Sequence, residues 1–178
     1  LWDDGQSNEG GAWVYHGSAT GIVSAPAWYK PSNQANAQFG YSVGAAGDVN
    51  GDGYADVIVG GVLWDDGQTD EGGAWVYHGS ASGVTSAPAW YKQSDQADAQ
   101  FGYAVGTAGD VNGDGYADVM VGTPFWDHGQ TNEGGAWVYH GSESGVISAP
   151  AWYTQINQAN AQFGYSVGTA GDVNGDGY

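Results

Sequence analysis

A unit of 62 residues is written almost three times in this chain. The string DVNGDGYAD stands at 48–56 and 110–118, and its first seven residues return at 172–178. The strings GGAWVYHGS and QFGY recur with the same offset. We divide the chain into sequence repeats 1–62, 63–124 and 125–178, the last of which is eight residues short of a full unit. A unit of this length is too long for one coil of a solenoid and suits the blade of a β-propeller.

Within one unit the apolar residues alternate with period two, which predicts strands and offers no helical stretch. Four segments stand out, at 39–45, 55–60, 11–17 and 25–30. The second is apolar on both faces, as an inner strand should be, whereas Pro26 places the fourth at a sheet edge. Four antiparallel strands per unit predict an all-β fold of propeller blades. Nine Trp, twelve Tyr and four Phe supply a dense core, in which we expect Trp13, Trp28 and their copies.

The charge balance excludes several classes of partner. Asp and Glu total 20 against only two lysines, so the net charge is −18. Nucleic acids and anionic membrane surfaces both require basic side chains, and no apolar run approaches a membrane span. A cationic partner or a metal ion fits better. The chain has no cysteine, so no disulfide scaffold stabilises it.

The repeated acidic string has the spacing of a metal-binding loop. Asp48, Asn50 and Asp52 alternate, so their side-chain oxygens can turn toward one hard cation, and Gly53 permits the sharp turn. The Tyr54 carbonyl and the Asp56 carboxylate complete an oxygen-only shell, which favours Ca²⁺ over zinc, copper or magnesium. The second copy offers the same ligands: Asp110, Asn112, Asp114, Tyr116 and Asp118.

Two alternatives to a calcium loop are weaker. An EF-hand requires Glu at the twelfth position, which holds Val59 and Val121, and it requires flanking helices. A metal-free polar turn would leave several carboxylates crowded on nine residues with nothing basic near them in the sequence. The third copy keeps Asp172, Asn174, Asp176 and Tyr178, but the counterpart of Asp56 would be residue 180, so this site is incomplete.

Other residues with chemical potential are assigned weaker roles. The acidic pairs Asp3–Asp4 and Asp65–Asp66 become Asp127–His128 in the third unit, which argues against paired-carboxylate catalysis. The histidines of the YHGS strings are predicted as turn or core residues, and no catalytic motif appears, so we do not expect an enzyme. Tryptophans before the acidic pairs are either packed between blades or stacking platforms for a sugar ring: Trp2, Trp64 and Trp126.

Three elements recur in order: Phe39-Gly40, the acidic loop, and VGGV at 59–62 or VGTP at 121–124. Together they resemble the FG-GAP repeat of integrin α-subunit propellers and their bacterial relatives. This resemblance covers the whole chain. It implies a calcium-binding propeller, usually of seven blades and usually extracellular.

In strand order the sequence predicts the last two strands of one blade, two complete blades, and the first strand of a fourth. A propeller needs about four to eight blades to close. We therefore expect an incomplete propeller segment, a processed product or a piece of a longer protein. It would join head-to-tail with other copies or with the remainder of a longer repeat chain.

The predicted function is a calcium-binding extracellular adhesion or structural-assembly module, with a glycan or a surface protein as its partner. A carbohydrate-binding, lectin-like propeller is the alternative, and a hydrolase domain comes last.

Overall fold

The computed structural model describes residues 2–176 and is built from β-strands joined by turns. No helix long and apolar enough to cross a membrane occurs among these residues. The twelve strands are β1 (Gly11–Val14), β2 (Gly17–Ser18), β3 (Gly21–Ile22), β4 (Trp28–Pro31), β5 (Phe39–Gly47), β6 (Asp56–Gly61), β7 (Gly73–Tyr77), β8 (Trp90–Gln93), β9 (Ala104–Gly109), β10 (Asp118–Thr123), β11 (Gly135–Tyr139) and β12 (Trp152–Gln155).

The strands form two complete antiparallel blades and half of another. The first full blade has the order β5-β6-β7-β8, and the second has β9-β10-β11-β12. β1 pairs with β4 alone, as the third and fourth strands of a partial blade, while β2 and β3 form a short hairpin. The all-β fold of incomplete propeller blades is confirmed, and the described sheets do not close into a ring.

Each blade packs face to face on the next. One core cluster joins the partial blade to the first full blade, where Trp28 meets the ring of Tyr77 edge-on at 5.0 Å. The other cluster joins the two full blades and repeats this contact between Trp90 and Tyr139, also at 5.0 Å. β6 lies between both clusters, because Val59 belongs to one and Ile58 to the other. A strand that is apolar on both faces is therefore buried on both, as its sequence predicts.

The Phe-Gly pairs explain why glycine recurs at the blade junctions. A Cβ on Gly102, whose φ is +83°, would lie 2.2 Å from the Gly73 carbonyl oxygen. A Cβ on Gly60 would lie 2.0 Å from the Gly102 carbonyl oxygen. Gly60 is the first residue of the GGV string, so the glycine of this motif is required by backbone-to-backbone contact between blades.

Two expectations drawn from the sequence are wrong in detail. No strand occurs among the described residues after β12, although 163–169 repeats the start of β5. The second strand that pairs with β5 is β6, and the 178 residues contain no third copy of β6. Trp13 and Trp152 are exposed rather than core, because the faces they occupy are not covered by another described blade.

Candidate metal site

The acidic loop 48–56 joins β5 to β6 and folds its polar side chains onto its own backbone. Asp48 accepts hydrogen bonds from the backbone N–H of Asp52 at 3.0 Å and of Gly53 at 2.8 Å. Asn50 Oδ1 accepts from the Asp52 N–H at 3.2 Å, and Asp52 Oδ1 accepts from the Tyr54 N–H at 2.9 Å. Gly53 has a φ of +89°, which confirms the predicted sharp turn.

The second loop, between β9 and β10, has the same conformation. Asp110 accepts from the backbone N–H of Asp114 at 3.1 Å and of Gly115 at 2.9 Å. Asp114 Oδ1 accepts from the Tyr116 N–H at 3.0 Å, and Asn112 Oδ1 from the Asp114 N–H at 3.2 Å. The two copies therefore present alternate oxygens in one geometry.

The ninth residue of each loop anchors it to the sheet. Asp56 is buried, and its two oxygens accept from the N–H groups of Val49 and Gly79, each at 2.8 Å. Asp118 does the same with Val111 at 2.8 Å and Gly141 at 2.9 Å. Burial raises the pKa of Asp56, while these two hydrogen bonds oppose that shift. Each loop is thus fixed at one end to the turn after the third strand of its blade.

The exposed carboxylates of the loops have the opposite tendency. A hydrogen bond from Asn50, followed by one from the Tyr54 backbone, lowers the pKa of Asp52. Its counterpart Asp114 has its pKa lowered by the Tyr116 backbone and by Asn112. Both groups are therefore held in the anionic form, which a cation requires of its ligands.

A histidine borders each loop, which sequence reasoning did not foresee. Asn50 Nδ2 lies 3.4 Å from His78 Nδ1, and Asn112 Nδ2 lies 3.3 Å from His140 Nδ1. The signal was present in the fixed 28-residue separation of each pair. This separation acquires meaning only when the third strand is placed beside the loop.

Among residues 2–176, no group of three or more His, Cys, Asp or Glu side chains lies close enough together to hold a metal ion. The loop offers a different donor set, which combines Asp48, Asn50 and Asp52 with the Tyr54 carbonyl. A carboxylate has about four acceptor positions, so those of Asp48 and Asp52 are not exhausted by the backbone N–H groups. The chemistry of this set fits a hard, oxygen-loving cation.

The third loop repeats part of this geometry. Asp172 Oδ1 accepts from the N–H groups of Gly175 at 2.6 Å and Asp176 at 3.1 Å. Asn174 Nδ2 donates to Asp176 at 2.7 Å. The predicted ligand Tyr178 lies outside the described residues.

The tryptophans that precede the acidic pairs pack against other rings. Trp64 meets Trp75 edge-on at 5.2 Å, and Trp126 meets Trp137 in the same way at 5.1 Å. Trp64 and Trp126 are half-buried, and each borders a small cleft beside a neighbouring blade, whereas Trp2 is exposed. The hypothesis that these rings stack on a sugar stays a prediction.

Buried glutamates brace the same loops, and sequence reasoning missed them. Glu9, Glu71 and Glu133 are fully buried. Glu71 accepts from the Asp66 backbone N–H at 2.6 Å, and Glu9 accepts from that of Asp4. Tyr91 donates to Asp66 at 3.2 Å, so the acidic pair belongs to a hydrogen-bonded turn.

The two full blades match a known repeat. The model of the FG-GAP repeat family matches residues 39–77 and 101–139. Each match begins at the first strand, with its Phe-Gly pair, and ends at the last residue of β7 or β11.

Curated relatives of this chain are integrin α subunits. The chain is 35% identical to integrin alpha-7 of Rattus norvegicus over 144 residues, and 34% identical to integrin alpha-6 of Gallus gallus over 141 residues. It is 32% identical to integrin alpha-PS2 of Drosophila melanogaster over 153 residues. Each match covers 79% of this chain but only 11–13% of the relative. The similarity therefore concerns a small segment of a much larger protein.

Proposed function

We propose that this chain, a member of the FG-GAP repeat family, is an extracellular adhesion or structural-assembly module whose acidic loops bind Ca²⁺. The observation that carries the proposal is the shared conformation of loops 48–56 and 110–118, in which carboxylate and amide oxygens alternate around a tight turn. The similarity to integrin α subunits supports the extracellular and adhesive role. The proposed role is not catalytic.

Charge also supports a bound cation. The only two lysines, Lys30 and Lys92, lie on β4 and β8, the outer strands of their blades, and Lys30 donates to the Ser86 carbonyl. The loops must therefore tolerate their negative charge by another means. A divalent ion in each loop would neutralise this charge and connect the first strand of a blade to the second.

The calcium proposal predicts two strong sites per chain, one in each complete loop. Extracellular calcium modules often bind with a dissociation constant of about 10⁻⁴ to 10⁻³ M. At tenfold excess over that constant, each ion stabilises the fold by about 1.4 kcal/mol. Isothermal titration of metal-stripped protein should give two ions per chain, and a chelator should lower the melting temperature.

Single substitutions assign the sites. Asp52→Ala and Asp114→Ala should each remove one ion from the stoichiometry. Glu143→Gln removes one charge from an exposed residue outside the loops and should leave the stoichiometry unchanged. Absence of heat in the titration, together with the same melting temperature in chelator, would contradict the metal assignment.

The proposed partners are further repeat units, joined head-to-tail to the open faces of the outermost blades. Apolar residues on these faces support this part of the proposal: Trp13 and Val43 at one end, Trp152 and Tyr153 at the other. A glycan or a surface protein is proposed as the ligand of the assembled module.

A further inference from the structure

The partial blade has an open edge where the full blades have a strand. In the full blades the third strand pairs on one side with the fourth and on the other with the second, as in Val59 opposite Trp75 and Val121 opposite Trp137. β1 is the copy of these third strands, and among residues 2–176 it pairs with β4 alone. The Val14 carbonyl faces β4, where it accepts from the Ala27 N–H at 2.8 Å. Trp13 and Tyr15 therefore direct their backbone groups to the open edge.

The floor beside this edge is apolar. A groove of about 550 Å³ runs between β1 and the first full blade, lined by Trp13, Tyr15, Val43 and Val57 among others. Side chains that are buried in the full blades are uncovered in this groove. Trp13 is 37% exposed against 7% for Trp75, Tyr15 is 48% against 1% for Tyr77, and Val43 is 57% against 8% for Val105.

Glycine marks the end of the groove. The N–H of Gly79 donates to Asp56 at 2.8 Å, and that of Gly141 donates to Asp118 at 2.9 Å. A Cβ on Gly79 would lie 2.3 Å from the Ala55 carbonyl oxygen, and one on Gly141 would lie 2.4 Å from that of Ala117. Gly17 is the third copy, and a Cβ there would meet nothing within 4 Å among the described residues. The Ala-Asp pair that begins a second strand thus fills this place in two blades and leaves it open in the first.

We propose that this groove binds one extended strand of the second-strand type, with the pattern Ala-Asp-Val-aliphatic-Val-Gly, supplied by another repeat unit. The internal copies fix the register: the strand's Asp accepts from the Gly17 N–H, its first Val lies opposite Tyr15, and its second Val lies opposite Trp13. Backbone hydrogen bonds to an exposed sheet edge supply affinity, and the alternating side chains supply specificity.

This register also restricts which partner fits. In this chain the second-strand pattern occurs only in β6 and β10, and both are paired on both edges. Two copies of these 178 residues joined end to end would therefore leave the groove unfilled. The partner must contribute an additional second strand. The inference deepens the proposed assembly role and rests on it, but the groove does not use a loop-bound cation.

The test uses a synthetic peptide with the sequence ADVIVGGV, taken from 55–62, carrying a neutral Gly-Ser-Gln tail. A neutral tail avoids charge attraction to a protein of net charge −18. Titration by calorimetry should give saturable one-to-one binding, in chelator as well as in calcium. Nuclear magnetic resonance should show the amides of Trp13, Tyr15 and Gly17 becoming protected from hydrogen exchange.

Two matched variants separate docking from folding. Gly17→Ala places a methyl group where the docked strand's carbonyl must lie, so it should weaken peptide binding at least about tenfold without lowering the melting temperature. Gly106→Ala also adds a methyl group with nothing within 4 Å, but away from the groove, and should bind as the unsubstituted chain does. A peptide with Asn in place of Asp should bind about tenfold more weakly, because it loses a charge-assisted hydrogen bond.

The proposal is overturned if the peptide does not bind saturably, if Gly17→Ala binds it equally well, or if the protected amides lie elsewhere. A failed calcium titration with intact peptide binding would refute the calcium loops and leave the groove assigned. Calcium binding without peptide binding would refute the groove alone.

Discussion

Asp70 stands at a position where the other two units carry asparagine. In the first unit Asn8 donates to Asn36 at 3.2 Å, and the third unit has Asn132 and Asn160 at these places. The second unit has Asp70 and Asp98 instead. Burial raises the pKa of Asp70, and the negative charges of Asp65 and Asp98 add to the shift. An amide pair has thus been replaced by two carboxylates that repel each other.

Asp70→Asn should stabilise the chain near neutral pH. Because the folded state raises the pKa of Asp70, the folded chain holds this proton more tightly than the unfolded chain does. The contribution of Asp70 to stability is therefore complete in acid and is lost as the pH rises through the folded-state pKa. We expect the free energy of unfolding of the variant to exceed that of the parent by about 0.5–1 kcal/mol at about pH 7, and the difference to vanish near about pH 3. Urea denaturation at the two pH values measures it.

Asn132→Asp is the matched reverse substitution, since it adds a carboxylate to the third unit beside the neutral Asn160. It should destabilise that unit slightly. Equal stability of the Asp70→Asn variant and the parent at neutral pH would contradict the repulsion.

At the scale of the elements, the blade junctions depend on glycine backbones that touch. Gly102→Ala should destabilise the fold by about 2–4 kcal/mol, because it strains a residue with positive φ and forces a methyl group against the Gly73 carbonyl. Thermal unfolding followed by circular dichroism measures the loss. Gly106→Ala, in β9, meets no atom within 4 Å and should change stability little. If both variants melted together, the close contact between blades would not limit the fold.

At the scale of the whole molecule, stability should differ between blades of the same sequence. The string GAWVYHG occurs at 11–17, 73–79 and 135–141, so its intrinsic rates of hydrogen exchange are equal in all three units. β7 is paired on both edges and fully buried, whereas β1 has one open edge and exposed side chains. The amides of Trp75 and Tyr77 should therefore exchange more slowly than those of Trp13 and Tyr15 by a factor of about 100 or more. Exchange measured residue by residue with magnetic resonance checks this, and equal rates would show that the open edge is protected in solution.

The sequence by itself determined the blade, its strand order and the conformation of the acidic loops. The period of 62 residues defines the unit, alternation defines its strands, and the Asp-Asn-Asp-Gly spacing defines the turn, since all of these are local properties. Even the edge position of β4 was readable from Pro26. The alternate oxygens of Asp48, Asn50 and Asp52 lie on the loop as their spacing predicts.

Only the tertiary structure decided which copy of each residue is buried and what each buried carboxylate contacts. Trp13 and Trp75 stand in identical local sequences, yet one is exposed and the other is core, because burial depends on whether a neighbouring blade is present. The contacts of Asp56 with Gly79, and of His78 with Asn50, join residues more than 20 positions apart, so no local pattern specifies them. A repeat sequence encodes the unit and its junctions, whereas the number of neighbours that a unit has is a property of the assembled molecule.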